Sequence, residues 1–390
     1  MAEPLKNRFG ADIPEQIAAM IAAVSQDFAA RDFVQDALDG YEPLDLMARG
    51  KKIAAALRRH LPQDYPVAEE TLLASLGPRL DETEDLGMAP FLYLPHVMFV
   101  AAYGQAHFEC SMRAQYELTQ RFTAEFSIRP YLEKYPEATL ARLAEWASDP
   151  SPHVRRLVSE GTRPRLPWAS RLRGFQQDPT PVLALLELLK DDPELYVRRS
   201  VANNLNDIGK DHPELLVETS RRWLQDADEE RRWLVRHALR SAVKRGEAGA
   251  LQVLGFGKQA KVSVAKSAIQ PERACMGDDV TIIFEISNAE ARTQKVLVDF
   301  RIHYVKASGN TSPKVFKLKA VTLAPNETIQ MQKKVSLAEM TTRKHYPGQH
   351  AVELLLNGSV MPLGSFELLA RNGCDDVCAS NRHAPHHLLK

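Results

Sequence analysis

The chain has 390 residues, of which 44% are hydrophobic, 26% charged and 7% aromatic, a composition typical of a globular protein with two or three domains. Fifty basic residues balance fifty acidic ones, which excludes a protein that binds nucleic acid or membranes through a large overall charge. The charge is nevertheless segregated, with a net −9 over residues 1–150, +5 over 151–261 and +3 over 262–370. This segregation predicts that one side of the molecule faces a polyanion.

The cysteine content and the N-terminal sequence indicate a cellular setting. Four cysteines in a chain of this length exclude a disulfide scaffold. The first residues lack the basic and apolar regions of a signal peptide, and the longest apolar run, residues 91–104, is too short to span a bilayer. We therefore expect a reduced, cytoplasmic, monomeric protein with no membrane partner.

Up to about residue 255 the apolar residues recur at helical spacing. The stripe is clearest over residues 13–24, 44–61 and 181–190. Asp-Pro pairs at 149–150, 178–179 and 192–193 each precede such a run, and proline is well suited to the first turn of a helix. This part of the chain is predicted to be wholly α-helical.

After residue 262 the apolar period changes to two. The predicted strands cover residues 280–286, 296–305, 315–323 and 351–356. Several short strands within about 100 residues favour an immunoglobulin-like antiparallel β-sandwich. The predicted domains are thus a helical repeat domain over 1–257, a sandwich over 262–370 and a disordered tail over 371–390.

The tail carries possible metal ligands. These are Cys374, Cys378, His383, His386 and His387. Their spacing matches no standard zinc module, so we expect neither a metal nor another cofactor.

The helical half contains an internal repeat. Val154-Arg155-Arg156 recurs as Val197-Arg198-Arg199 and again as Val235-Arg236-His237, each after an Asp-containing break. A unit of about 40 residues, with a helix, an acidic turn and a helix that opens with Val-Arg, is typical of HEAT-like repeats. The prediction is therefore a HEAT-like α-solenoid.

The repeat register aligns polar residues along one groove. It relates Glu160 to Asn203 and Ser241, while Glu125 lies about one unit earlier. A polar ladder beside a column of arginines fits the phosphates of a DNA duplex better than an apolar peptide. The alternative is that the arginines pair with Asp residues of adjacent turns and that Glu160 pairs with Arg163.

Common catalytic motifs are missing from the sequence. It holds no glycine-rich phosphate loop, no GxSxG and no HExxH. An enzyme with this sequence would have to work with carboxylates, arginines and a tryptophan. Trp168 is the candidate tryptophan because it lies in the Arg- and Pro-rich segment TRPRLPW, directly after Glu160.

Several separated segments resemble one protein family. PLKNRFG near the N-terminus, then EFSIRP, SEGTRPRLPW and YVRRSVANNLNDIGKDHP, are similar in order to the HEAT-like DNA alkylation-repair glycosylases of the AlkC branch. The resemblance covers about residues 1–255. The predicted sandwich is similar to the immunoglobulin-like domain that a subset of this branch carries.

The resemblance implies hydrolysis of the N-glycosidic bond of cationic alkylated bases, such as 3-methyladenine and 3-methylcytosine, in duplex DNA. Glu160 would stabilise the sugar cation, with Glu125 assisting or substituting, and Trp168 would contact the sugar or base. The implied DNA-binding residues are Arg155, Arg156, Arg163, Arg165, Arg198, Arg199, Asn203, Asn204 and Arg236. The basic strand residues Lys317 and Lys319 are added to this set because of their charge. The alternative is a HEAT-repeat scaffold that binds protein or DNA without chemistry.

Overall fold

A computed structural model describes residues 5–83, 87–257, 261–339 and 344–370. The chain forms two compact units that divide between Leu239 and Arg240. We call them the helical unit and the β unit. The tail with its possible metal ligands lies outside the described residues.

The helical unit is built from fourteen described α-helices and two short 3₁₀ helices. The α-helices are α1 (Asp12–Ala22), α2 (Ala30–Leu38), α3 (Leu46–His60), α4 (Tyr65–Ala74), α5 (Leu94–Tyr103), α6 (Phe108–Thr119), α7 (Arg129–Lys134), α8 (Pro136–Trp146), α9 (Pro152–Gly161), α10 (Arg173–Gln177), α11 (Thr180–Leu189), α12 (Leu195–Ile208), α13 (Pro213–Trp223) and α14 (Glu229–Ala238), and the 3₁₀ helices are Leu5–Arg8 and Ala89–Tyr93. Val154, Val197 and Val235, which the repeat aligns, are each fully buried. The repeat therefore places its valines in the core of successive helices.

The β unit contains two short helices and eight strands. They are α15 (Arg240–Arg245), α16 (Ala248–Val253), β1 (Val262–Gln270), β2 (Arg273–Cys275), β3 (Asp279–Asn288), β4 (Gln294–Val305), β5 (Thr311–Leu323), β6 (Thr328–Ser336), β7 (Gly348–Leu356) and β8 (Ser359–Leu369). One sheet has the order β1-β3-β6 and the other β2-β8-β7-β4-β5. All pairings are antiparallel except that of β2 with β8.

The core of the β unit explains why its strands form. Alternate residues of β3 are fully buried, namely Val280, Ile282, Phe284 and Ile286, and they belong to one hydrophobic cluster with residues of the other sheet. This is the inward-facing alternation of a sandwich. The predicted fold class, a helical domain followed by a β-sandwich, is confirmed.

Four strands were not predicted. They are β1, β2, β6 and β8. In β6, only Met331 and Val335 are buried, so the strand carries too few apolar residues for its period to stand out. Its place in the sheet comes from pairing with β3.

Helices α15 and α16 pack within the β unit. A side chain on Gly246 would lie 3.1 Å from the Cα atom of Gly358, and both glycines have φ near +80°, a conformation that glycine adopts at no steric cost. The two units therefore divide before residue 257, the predicted end of the helical domain. The apolar period shows where helices end, but it does not show which of the two units they pack in.

No helix in the described part of the chain is long and apolar enough to cross a membrane. Cys110 is a free thiol, whereas Cys275 is disulfide-bonded. The expectation of a fully reduced chain is therefore wrong for Cys275, because pairing depends on which segments meet in space rather than on the number of cysteines.

Candidate active site

Trp168 lies in the segment between α9 and α10, residues 162–172, which we call the Trp168 loop. It is 64% exposed and has φ of +66°. The other described non-glycine residues with positive φ are Asp or Asn, which tolerate this conformation, whereas a bulky side chain is strained there by about 1–3 kcal/mol. An exposed aromatic residue in a strained backbone conformation is typical of a functional position.

Glu160, at the end of α9, is 5% exposed, and each of its carboxylate oxygens accepts a hydrogen bond. Arg163 Nη1 donates to its Oε1 over 2.6 Å, and Ser200 Oγ donates to its Oε2 over 2.7 Å. Ser159 donates in turn to Ser200 over 2.7 Å. Both oxygens of this carboxylate are thereby held in one orientation.

Arg156 links Glu160 to the second candidate carboxylate. Its Nη1 donates to Glu125 Oε2 over 3.0 Å, and its Nη2 lies 3.7 Å from Glu160 Oε1. Thr123 Oγ1 also donates to Glu125 Oε2, over 2.9 Å. The guanidinium lies 5.0 Å from the ring centre of Tyr196, a cation–π contact that further fixes its plane.

Asp207 extends this arrangement. Arg163 Nε donates to Asp207 Oδ2 over 2.8 Å, and Lys210 Nζ donates to its Oδ1 over 2.7 Å. We call Glu125, Arg156, Glu160, Arg163 and Asp207 the carboxylate cluster. Together with Lys210, its two arginines balance the charge of its three acids beside the Trp168 loop.

The protonation of the cluster follows from its ion pairs. Burial alone would raise the pKa of Glu160, but Arg156 and Arg163, with the hydrogen bond from Ser200, outweigh it and hold the pKa below its ordinary value. Burial likewise opposes the charge of Arg163, while Glu160 and Asp207 raise its pKa. Glu160 is therefore an anion at neutral pH.

A cavity of about 340 Å³ opens beside the cluster. Glu125, Arg156, Glu160, Trp168 and Tyr196 contribute to its lining, together with apolar residues. The structure thus brings the three predicted catalytic residues, Glu160, Glu125 and Trp168, to one cavity. Two carboxylates and an exposed indole can stabilise a cation there.

In the two Val-Arg-Arg segments, the arginine doublets are Arg155-Arg156 and Arg198-Arg199, and the first arginine of each doublet binds backbone carbonyls of the preceding turn. Arg155 donates to both oxygens of Asp192 and, over 2.8 and 2.9 Å, to the carbonyls of Asp149 and Pro150. In the next unit, Arg198 donates to the carbonyls of Asp192 and Pro193. We call Arg155, Asp192 and Arg198 the break network. For Arg155 and Arg198, the structure matches the alternative stated in the sequence analysis, in which the arginines pair with Asp residues of adjacent turns.

Two further predicted DNA contacts, and Arg198 as before, are committed to partners within the protein. Asn204 is completely buried, and its amide donates to Ser159 O and Thr162 Oγ1. Arg198 is 8% exposed. Arg165 is bound to Asp211 by two hydrogen bonds. Contact with DNA requires access to the surface, so we do not carry forward as DNA-binding residues Asn204, Arg198 or Arg163, which is also 8% exposed.

Other predicted contacts do lie at the surface. They are Arg199, Arg236, Lys317 and Lys319, while Asn203 is partly buried and its Oδ1 lies 3.2 Å from His237 Nε2. The two lysines flank an irregularity in the pairing of β4 with β5. Strand β5 is an edge strand, where exposed lysines also prevent pairing with other chains.

The predicted polar ladder is only partly formed. Glu125 and Glu160 are joined through Arg156, but the residue across from Glu160 is Ser200 and not Asn203. Equivalent positions of a repeat need not touch, because the packing of α9 on α12 shifts the contact by almost one turn. Ser200, Tyr196 and Asp207 were missed for this reason.

Both parts of the chain match known protein families. Residues 122–245 match the family "DNA alkylation repair enzyme", and residues 263–370 match "Uncharacterised protein YhaZ, C-terminal Ig-like domain". The chain is 34% identical over 365 residues to the protein YhaZ of Bacillus subtilis, covering 93% of this chain and 99% of the relative. These matches define the class as a helical DNA alkylation repair protein with an immunoglobulin-like domain.

A solved structure gives the more particular relationship. The alkylpurine DNA glycosylase AlkC of Pseudomonas fluorescens, bound to DNA containing an abasic site analogue, is 38% identical with a TM-score of 0.87, covering 94% of this chain and 100% of that one. The chain belongs to the DNA alkylation repair enzyme family, in its AlkC branch. The resemblance stated from the sequence segments is confirmed.

Proposed function

We propose that the protein is a monofunctional DNA glycosylase that hydrolyses the N-glycosidic bond of cationic alkylated bases in duplex DNA. The observation that carries the proposal is the meeting of Glu125, Glu160 and Trp168 at one cavity. Family membership supplies the class of substrate, since the AlkC structure is that of an alkylpurine DNA glycosylase bound to DNA.

The chemistry needs no acid to protonate the leaving group. A base alkylated to a cation takes the electron pair of the broken C1′–N bond and leaves as a neutral molecule. The positive charge then develops on the sugar, where a fixed carboxylate stabilises it. Glu160, held ionised by Arg156 and Arg163, is the residue that we assign to this role.

Glu125 is suited to orienting the water that attacks C1′. Among the described residues, its side-chain hydrogen bonds end on Oε2, which leaves the acceptor sites of Oε1 for water. The water would donate one proton to this carboxylate as its oxygen bonds to C1′. Trp168 would place its ring against the sugar or the cationic base.

Base release from methylated DNA is the direct test of this proposal. Duplex DNA treated with a methylating agent is incubated with the protein, and free bases are separated by chromatography. The E160Q variant removes the negative charge beside the sugar and should lower single-turnover excision of 3-methyladenine about a hundredfold, equivalent to about 3 kcal/mol. DNA affinity should stay within about twofold.

One outcome would contradict the proposed activity, and another would change the assignment of the carboxylate. Binding of the wild-type protein to DNA without release of any base would favour a scaffold without chemistry. A wild-type rate for E160Q would move the assignment to Glu125, and E125Q then becomes the decisive variant.

A further inference from the structure

Arg129, the first residue of α7, is a buried cation whose side chain reaches the Trp168 loop. It is 2% exposed. Its Nη1 donates to the carbonyls of Gly161 and Arg163 over 3.0 and 2.9 Å, and its Nη2 donates to the carbonyl of Ser170 over 2.5 Å. One guanidinium therefore joins the end of α9 to the far side of the loop.

These three carbonyls flank Trp168. Arg163 precedes the tryptophan by five residues and Ser170 follows it by two. The backbone hydrogen bonds of the loop itself are long, 3.4 Å from Ala169 to Leu166 and 3.2 Å from Leu172 to Pro164. The hydrogen bonds from a charged donor are the stronger ones, so Arg129 holds both ends of the span that carries Trp168, in addition to the ion pairs that Arg163 and Arg165 form from within the loop.

Arg129 differs from the arginines of the carboxylate cluster. Within the described chain, no carboxylate lies within ion-pair distance of it, and its donors are directed at carbonyls instead. Burial lowers the pKa of Arg129 to about 10, so the side chain is still protonated at neutral pH. Burying an unpaired charge is costly, and no other residue type offers several donors in one rigid plane.

The packing around Gly161 makes this reach possible. A side chain at Gly161 would come within 2.6 Å of Ile128 Cγ2, so the absence of one lets α9 end directly against the residue before Arg129. Arg129 and Trp168 also share the lining of a second cavity, of about 460 Å³. The arginine thus lies directly behind the loop that carries the indole.

We propose that Arg129 is a positioning residue, whose planar guanidinium holds the Trp168 loop so that the indole stays at the cavity in its strained backbone conformation. It does not touch the substrate. Its effect on excision passes through Trp168, and in this respect the inference rests on the proposed function. Its effect on the position of Trp168 is independent of that function.

The test is a double-mutant cycle of Arg129→Lys and Trp168→Ala. Lysine keeps the charge but has no fork for three carbonyls. We expect R129K to lower single-turnover excision about a hundredfold in the wild-type background, since a small misplacement of a reacting group has effects of this size. In the W168A background it should change the rate less than about twofold.

The matched control is Arg49→Lys. Arg49 is another buried arginine that donates to backbone carbonyls, those of Lys6, Phe9, Glu42 and Leu44, but none of these belongs to the Trp168 loop. R49K should lower the melting temperature and leave excision by the folded protein within about twofold. Its effect should be the same with and without Trp168.

A readout independent of activity is fluorine NMR of protein labelled with 5-fluorotryptophan. The four tryptophans give four resonances, and Trp168→Phe identifies one of them. R129K should shift or broaden the Trp168 resonance and leave the other three in place, while R49K should leave Trp168 unchanged. R129Q, read in the same way, replaces R129K if the lysine variant does not fold.

Two results would overturn the inference. One is an unchanged Trp168 resonance in R129K or R129Q. The other is a loss of excision in R129K that multiplies with that of W168A, which would show a general effect on the fold. Absence of excision in the wild-type protein would contradict the proposed function alone, because the fluorine spectra would still test the position of Trp168.

Discussion

Arg155 and Arg156 are neighbours on α9, yet their side chains belong to two different networks. Arg155 joins the break network, with Asp192 and the carbonyls of an Asp-Pro turn. Arg156 joins the carboxylate cluster and faces a cavity that Trp168 also lines. The second repeat unit copies the first network closely, since Arg198 donates to the Asp-Pro carbonyls five and six residues before it, as Arg155 does.

The difference shows how a repeat separates stability from function. The first arginine of the doublet closes the turn in both units, so its role comes with the repeat. The second arginine enters the carboxylate cluster only in α9, where Glu125, Glu160 and the Trp168 loop meet. The same pair of residues therefore closes a turn on one side of the helix and lines the proposed site on the other.

The largest expected effect comes from Asp192→Asn in the break network. Asp192 is 7% exposed and accepts two hydrogen bonds from Arg155, so its neutralisation leaves a partly buried cation without a carboxylate partner. The free energy of unfolding should fall by about 3 kcal/mol, measured by urea denaturation. Excision by the folded protein should stay within about twofold, in contrast to E160Q. A D192N protein that is stable but inactive would contradict the assignment of stability to the break network and of activity to the carboxylate cluster.

A smaller effect is expected for the second doublet, where Arg198 is buried and Arg199 is exposed. Arg198→Ala should destabilise the protein and leave DNA affinity unchanged. Arg199→Ala should weaken binding to methylated and unmethylated duplexes alike, about fivefold, and reduce the salt slope by about 0.9. Titrations over a salt series measure both. If Arg198→Ala lowers DNA affinity and Arg199→Ala does not, Arg198 and not Arg199 belongs to the DNA-binding surface.

The smallest effect is expected in the β unit, for the double variant Lys317→Gln and Lys319→Gln. If the exposed lysines contact phosphates, affinity for any duplex should fall about threefold. If they protect the edge strand β5, affinity should be unchanged and the variant should self-associate at high concentration. Fluorescence anisotropy with DNA and sedimentation without DNA distinguish the two roles.

The helices and several strands could be predicted because their side chains record burial locally. The alternation in VTIIFEI matches the buried face of β3, and the aligned valines of the repeat are all in the core. Strand β6 could not be predicted because its exposed face and its edge position leave only two buried residues in nine. The backbone hydrogen bonds to β3, rather than an apolar pattern of its own, place β6 in the sheet.

The candidate site divides in the same way. Glu160 and Trp168 could be chosen from the sequence because they flank an unusual Arg- and Pro-rich connection. Ser200, Asp207 and Arg129 could not, because a serine, an aspartate or an arginine on a helix has the same local pattern whether or not it touches a site.

By itself, the sequence determined the two-part architecture, the repeat and the family, all of which depend on patterns along the chain. Only the tertiary structure decided which of two adjacent arginines faces the cavity and which carbonyls Arg129 holds. The physical reason is that hydrogen bonds and ion pairs act over about 3 Å, while the groups they join here are 31 to 44 residues apart.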